Sequence, residues 1–293
     1  MTEPSAGPTP GRTPSAADRT ATGNPAARRP PMTPPLVEPA AGDIDAERYA
    51  RHFPVPGIGE EGQRRLANAK VLMIGAGGLG SPIGHYLAAV GVGKLTIVDD
   101  DRVDLTNLQR QVLHRVGDIG RPKVESAAET LGALNGGIEI EPLDVRLSDA
   151  NIDELVAAHD LVIDGSDNFA TRYLVSDACR RAGAVLVWGS IRQLTGQVSV
   201  FGLDLGGGRR VWLRDLYPEP PAPDTVKTTA ETGILGTVPG TIGTLMATEA
   251  VKVITGMGEP LSGRVIFYDS APMTFREFRF AADAGTVDGE GGR

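Results

Sequence analysis

Gly75-Ala76-Gly77-Gly78-Leu79-Gly80 follows the apolar run Val71-Leu72-Met73-Ile74 and opens a helical pattern running from Leu79 to Val90. Glycines at this spacing permit a tight turn and a close approach of backbone N–H groups to phosphate, and the helix start adds a partial positive charge. Asp99 closes the next apolar run, Leu95-Thr96-Ile97-Val98, 19 residues past Gly80. A carboxylate at that distance can hold ribose hydroxyls. The set predicts a nucleotide site in which Gly75, Gly77, Gly78, Gly80 and Asp99 take part, and the glycine pattern by itself favours a nicotinamide or flavin dinucleotide over ATP.

The residues beyond Asp99 shift that balance. Asp99-Asp100-Asp101-Arg102-Val103-Asp104-Leu105-Thr106-Asn107-Leu108-Gln109-Arg110-Gln111 places polar and cationic groups just past the ribose carboxylate, and Pro122-Lys123 opens a further helix. Converging Arg and Lys suit a triphosphate better than a dinucleotide. Asp164-Gly165-Ser166-Asp167-Asn168 ends another apolar run, where open α/β sheets bind their ligands. A carboxylate there can hold Mg²⁺, which nucleotidyl transfer needs to neutralise phosphate charge. The plainer alternative is that Asp167 caps the helix that follows.

Two further apolar runs, Leu161-Val162-Ile163 and Val185-Leu186-Val187, flank the helical stretch Asn168 to Ala182. Runs without apolar/polar alternation, joined by helices, predict a parallel sheet covered on both faces. The fold class is therefore α/β, a Rossmann-like doubly wound and mostly parallel sheet. Gly196 to Phe201 and Arg264 to Tyr268, on either side of a helix from Ile242 to Ile254, are expected to extend it as additional C-terminal strands. Ten of the 22 prolines fall before residue 43, so residues 1–43 are expected to be a disordered tail, 44–280 the folded body and 281–293 a second tail.

The 29 Lys and Arg against 37 Asp and Glu give a net charge of -8, which argues against nucleic acid as a partner. No apolar run approaches the roughly 20 residues that span a bilayer, and the N-terminus lacks the apolar stretch of a secretory signal, so no membrane role and a cytoplasmic location are expected. Arg28-Arg29 is followed by Pro30-Pro31-Met32-Thr33-Pro34-Pro35 rather than the apolar segment of a twin-arginine signal. A single cysteine, Cys179, excludes an intrachain disulfide and a thiolate zinc site; its apolar helical context points to burial rather than catalysis.

Over residues 47–280 these segments resemble the MoeB/ThiF/HesA family, bacterial relatives of ubiquitin-activating enzymes. The resemblance rests on Arg48-Tyr49-Ala50-Arg51, the glycine loop, Asp99 with Asn107 to Gln111, Gly120 to Glu125, Asp167-Asn168 and Gly243 to Lys252. Leu213 to Pro221 further resembles actinobacterial members that activate molybdopterin, thiamine or cysteine sulfur carriers. The resemblance implies ATP contacts from Gly78, Asp99, Thr106, Asn107, Leu108, Gln109, Arg110, Lys123, Asp167 and Asn168, with Asp167 on Mg²⁺. It implies adenylation of the terminal glycine carboxylate of a ubiquitin-like sulfur-carrier protein ending in Gly-Gly, and catalytic roles for Arg51, Arg110, Lys123 and Asp167. It also implies a homodimer, because the family arginine at position 51 lies on an N-terminal helix and reaches the neighbouring subunit's site.

The sequence departs from that family at several points. The two C-x-x-C pairs that hold zinc in many members are absent, so no structural zinc is expected. Thr229 stands where members commonly carry a cysteine, and a hydroxyl is far less nucleophilic than a thiolate, so covalent transfer of the carrier is not expected there. His52 replaces the usual Gln and is given no role. The proline-rich stretch Asp215 to Thr232 corresponds to the segment that covers the carrier's tail in relatives. No rhodanese domain is seen, so a separate sulfur donor protein is implied. A nicotinamide-dependent oxidoreductase and a non-catalytic family homologue are the competing readings.

Overall fold

Every residue from Val71 to Ile74 is buried, because strand β1 (Lys70–Ile74) is covered on both faces. Its period of two divides the core: Val71 and Met73 join one apolar cluster, Leu72 and Ile74 the other. The computed structural model describes residues 34–222 and 229–282. Within them β1, β2 (Lys94–Val98), β3 (Glu139–Leu143), β4 (Leu161–Asp164) and β5 (Val185–Arg192) pair in parallel. Then β6 (Thr195–Phe201), β7 (Arg264–Asp269) and β8 (Thr274–Arg279) add on as antiparallel neighbours. The sheet order is β3-β2-β1-β4-β5-β6-β7-β8.

One face is packed by α1 (Gly59–Asn68), α2 (Gly80–Val90), α3 (Lys123–Leu134) and α8 (Thr237–Thr255), through Leu66, Ile83, Leu131 and Met246. The other is packed by α4 (Ile152–Ala157), α5 (Phe169–Ala182) and α6 (Leu213–Leu216), through Ile152, Cys179 and Leu213 beside Trp188 and Trp212. Among the described residues, no helix is long and apolar enough to cross a membrane.

The order reverses direction at β1 and β4, whose last residues Ile74 and Asp164 are register partners. The connections from β1 and β4 leave on opposite faces of the sheet, which opens a crevice beyond the two strand ends. Both the glycine loop and the Asp164-to-Asn168 turn lie at that crevice.

Several segments differ from the sequence reading. Residues 34–43, expected as tail, pack on the body: Leu36 N–H donates to Val253, Ala40 N–H to Arg64, and Val37 is buried. Residues 46–54, which carry Arg51, form successive turns such as His52 N–H to the Tyr49 carbonyl, rather than the regular helix of the resemblance; the first helix begins at Gly59. His52 takes a structural role, with Nδ1 at 2.7 Å from Gln63 Oε1 and the ring stacked on Tyr49. The stretch 215–232 begins inside α6 and ends in α7 (Thr229–Thr232); residues 223–228, like 1–33 and 283–293, lie outside the described residues.

Candidate active site

The glycine loop is shaped by its own backbone constraints. Gly75 has φ 88°, open to glycine and costly for other residues, and its N–H donates to Val98 at 2.8 Å. A Cβ on Gly80 would overlap the Gly75 carbonyl oxygen, so this glycine lets α2 start directly beneath the loop and does not line the cavity. Gly77 and Gly78 do line it, with Gly75.

Asp99 secures the loop from the neighbouring strand. Its Oδ2 accepts the Ala76 N–H at 2.8 Å and its Oδ1 the Asp101 N–H at 2.9 Å. Burial pushes its carboxyl above the ordinary range, against the pull of Lys123 and the two amides. Lys123, only 5% exposed at the first turn of α3, donates to Asp101 Oδ2 at 2.7 Å. Asp99, Asp100 and Asp101 bring carboxylate oxygens within 4.8 Å of one another, but two of the three are already engaged in these contacts.

Arg110 reaches the cavity from a compact turn. Asp104 accepts from both the backbone and the hydroxyl of Thr106, at 2.8 and 2.6 Å, and the Arg110 guanidinium donates to the Thr106 carbonyl at 3.2 Å. The Asn107 carbonyl accepts from Arg110 and Gln111 N–H at 3.0 and 2.9 Å. Thr106, Asn107, Leu108 and Gln109 do not line the cavity; Thr106 and Asn107 build the turn that aims Arg110. Gln111, absent from the predicted set, does line it: the residue is 4% exposed and its Oε1 has no hydrogen-bond partner among the described residues.

On the opposite wall, Asn168 caps α5 by accepting the Thr171 N–H at 2.9 Å. That leaves Asp167 exposed at the cavity with no hydrogen bond or ion pair among the described residues. Beneath it Asp164 is fully buried; burial pushes its carboxyl up, opposed by Ser166 and by the Arg172 cation. Arg172 is itself buried, lies 5.2 Å over the Phe169 ring and donates to the Ser166 carbonyl at 3.0 Å, which fixes the turn presenting Asp167.

The cavity so enclosed holds about 560 Å³. Part of its lining, which sequence reasoning did not reach, comes from Val145 to Asp149 after β3 and from Leu174, Ile191 and Ile234. The glycine loop, Arg110 and Lys123 share this lining with the apolar side chains of Leu174, Ile191 and Ile234, the mixture of apolar wall and convergent polar groups that small-molecule sites use. Arg51 is exposed and does not line this cavity.

Fold and site together define a doubly wound α/β domain whose switch-point cavity carries a glycine loop, Arg110, Lys123 and the unpartnered carboxylate of Asp167. The ThiF family profile matches residues 49–286. The chain is 50% identical over 255 residues to the probable adenylyltransferase/sulfurtransferase MoeZ of Mycobacterium tuberculosis, covering 86% of this chain and 65% of that protein. It is 47% identical to the SAMP-activating enzyme E1 of Haloferax volcanii, covering 84% of this chain and 90% of that one. The sulfur carrier protein adenylyltransferase of Thermus thermophilus is 46% identical, with 80% and 86% covered. The crystal structure of E. coli MccB with ATP shares the fold, with a TM-score of 0.69 at 21% identity over 83% of this chain and 75% of that one. The chain belongs to the ThiF family.

Proposed function

We propose that this chain uses ATP to adenylate the C-terminal glycine carboxylate of a ubiquitin-like sulfur-carrier protein. The observation that carries this reading is the cavity at the β1/β4 switch, with the glycine loop, Arg110 and Lys123 on one wall and the unpartnered Asp167 carboxylate on the other. Three relatives named as adenylyltransferases or activating enzymes, at 46 to 50% identity, support it.

The reaction needs no protein nucleophile. A carrier carboxylate oxygen attacks the α-phosphorus of ATP, the bond from that phosphorus to the bridging oxygen breaks, and pyrophosphate leaves with the electron pair. Arg110 and Lys123 offset charge growing on the phosphates. Asp167 fits a Mg²⁺ role because Asn168 has taken the helix cap and freed it, and Mg²⁺ is commonly held by one or two carboxylates together with phosphate oxygens. Bound there, the ion would neutralise phosphate charge and favour departure of pyrophosphate. Arg51, which does not line its own chain's cavity, would serve a partner subunit's site in a homodimer.

Transfer through a covalent carrier intermediate is not part of this reading. Cys179 is buried between α5 and the sheet, and burial pushes its thiol pKa up, away from a reactive thiolate. Sulfur would come from a separate donor protein in the cytoplasm. Carrier-dependent ATP/pyrophosphate exchange tests the assignment: Asp167→Ala abolishes it, and full exchange by the folded variant would overturn the role given to Asp167.

A further inference from the structure

Behind the glycine loop runs a buried chain of polar groups that the adenylation chemistry does not use. His114 is 6% exposed, with Nε2 at 2.9 Å from the Ala76 carbonyl and Nδ1 at 2.9 Å from Ser126 Oγ. The Ser126 hydroxyl lies 2.9 Å from Asp118 Oδ2 as donor. Ala76 is the residue whose N–H Asp99 holds, so the chain ends on the peptide backbone of the loop itself.

Proton counting decides what this chain requires. A carbonyl and a carboxylate are acceptors only, so three contacts between the Ala76 carbonyl and the Asp118 carboxylate need three protons. A neutral imidazole and one hydroxyl supply two. Asp118 does not supply the third: burial pushes it up, but the Arg115 N–H, the Ser126 hydroxyl and the Arg121 guanidinium, 2.6 Å away, hold it below its ordinary value and ionised. Only an imidazolium completes the chain, donating from Nε2 to Ala76 and from Nδ1 to Ser126 while Ser126 donates to Asp118.

Every charged group facing the ring bears on that protonation. Lys123 on α3 opposes it, whereas Asp99 at the end of β2 and Asp118 on the turn before α3 favour it. Burial also holds the free protein's imidazole below its ordinary pKa. A triphosphate against the glycine loop and Lys123 brings negative charge to the one neighbour that repels the proton, and tips the balance.

We propose that His114 is a positioning residue for the glycine loop and that binding of ATP at this loop makes its ring doubly protonated, closing the hydrogen-bond chain from Ala76 through Ser126 to Asp118. The proton comes from solvent and forms the Nδ1–H bond to Ser126, whose hydroxyl keeps donating to Asp118. This rests on the ATP site proposed above.

The test is calorimetric titration of the full chain with α,β-methylene-ATP and Mg²⁺ at pH 7 in two buffers of different ionisation enthalpy, whose difference reads protons taken up. The wild-type protein takes up about half a proton more than His114→Gln, whose amide can still donate to Ala76 but cannot titrate. Ser126→Ala, which keeps the histidine and cuts its link to Asp118, also loses most of this uptake. Equal uptake in all three proteins, each binding the analogue, overturns the proposal while leaving the ATP site standing. If His114→Gln does not fold, uptake by Ser126→Ala equal to wild type has the same force. Wild-type protein that binds no analogue removes the ATP site and this inference together.

Discussion

Two glycines of one motif should fail in opposite ways. A Cβ on Gly80 would overlap the Gly75 carbonyl oxygen, and the turn cannot swing aside, because Gly75 N–H is tied to Val98 at 2.8 Å and Ser81 N–H to Gly77 at 2.9 Å. Overpacking of this kind costs about 3 kcal/mol, and the gain from replacing glycine in a helix returns about 0.5–1, so Gly80→Ala loses about 2 kcal/mol. At Gly77 the nearest atom to an added Cβ is Gln111 Nε2 at 3.5 Å, ordinary contact, so Gly77→Ala leaves stability unchanged or raises it by about 0.4–1 kcal/mol. Its methyl, however, enters the cavity proposed to take ATP and raises the KM for ATP at least about tenfold, equivalent to about 1.4 kcal/mol. Urea unfolding followed by the fluorescence of buried Trp188 and Trp212 reads the first effect as a fall in midpoint of about 0.7 M for an m near about 3 kcal/mol/M. ATP/pyrophosphate exchange reads the second. An unchanged midpoint for Gly80→Ala, or an unchanged ATP KM for Gly77→Ala, would refute this division of labour.

Arg172→Met removes a charged hydrogen bond from the Ser166 carbonyl and lowers stability by about 2 kcal/mol, with a larger proportional loss of exchange than of nucleotide affinity. A Tm within a degree of wild type would show that the turn does not depend on it. Cys179 resists iodoacetamide in the native protein and reacts at once in urea, and Cys179→Ala retains exchange; rapid native labelling would contradict its burial. His114 gives stability a pH dependence of known sign. Its folded-state pKa is held below the unfolded value, so the folded chain binds fewer protons, and the contribution is full above about pH 6.5 and is lost as pH falls below it. Free wild-type protein therefore loses more stability between pH 7 and pH 5 than His114→Gln does, and parallel curves would count against a depressed histidine.

The strands legible in the sequence are those buried on both faces. β1, β2, β4 and β5 read as continuous apolar runs because helices cover them on each side. β3, Glu-Ile-Glu-Pro-Leu, gives no such signal: it is an edge strand, and its partly exposed residues admit two glutamates and Pro142. β8 lies at the other edge, and Phe275 and Phe278 remain half exposed on it. For the site, the glycine loop, Asp99, Arg110, Lys123 and Asp167 were legible because each stands in a short motif beside a strand end or helix start. Val145 to Asp149, Ile191 and Ile234 were not, since only the order of strands brings those distant segments to one cavity. Gln111 was in view as part of its motif, but nothing in the spacing separates a residue that enters the cavity from Thr106 and Asn107, which build the turn beside it.

The acidic residues show what the structure adds to a correct motif. Asp99, Asp101, Asp164 and Asp167 are equivalent as letters, each a carboxylate near the end of a strand. Their partners separate them: Asp99 is bound by backbone amides, Asp101 holds Lys123, and Asp164 is buried with its carboxyl pushed toward the neutral form. Asp167 alone among the four is both exposed to the cavity and unpartnered, and it is so because its neighbour Asn168 supplies the cap that Asp167 could have supplied. Which carboxylate is left free for the proposed metal thus depends on a hydrogen bond made one residue away, to Thr171. Across the loop, Lys123 gives one of its three ammonium protons to Asp101 and keeps the others for the proposed phosphate.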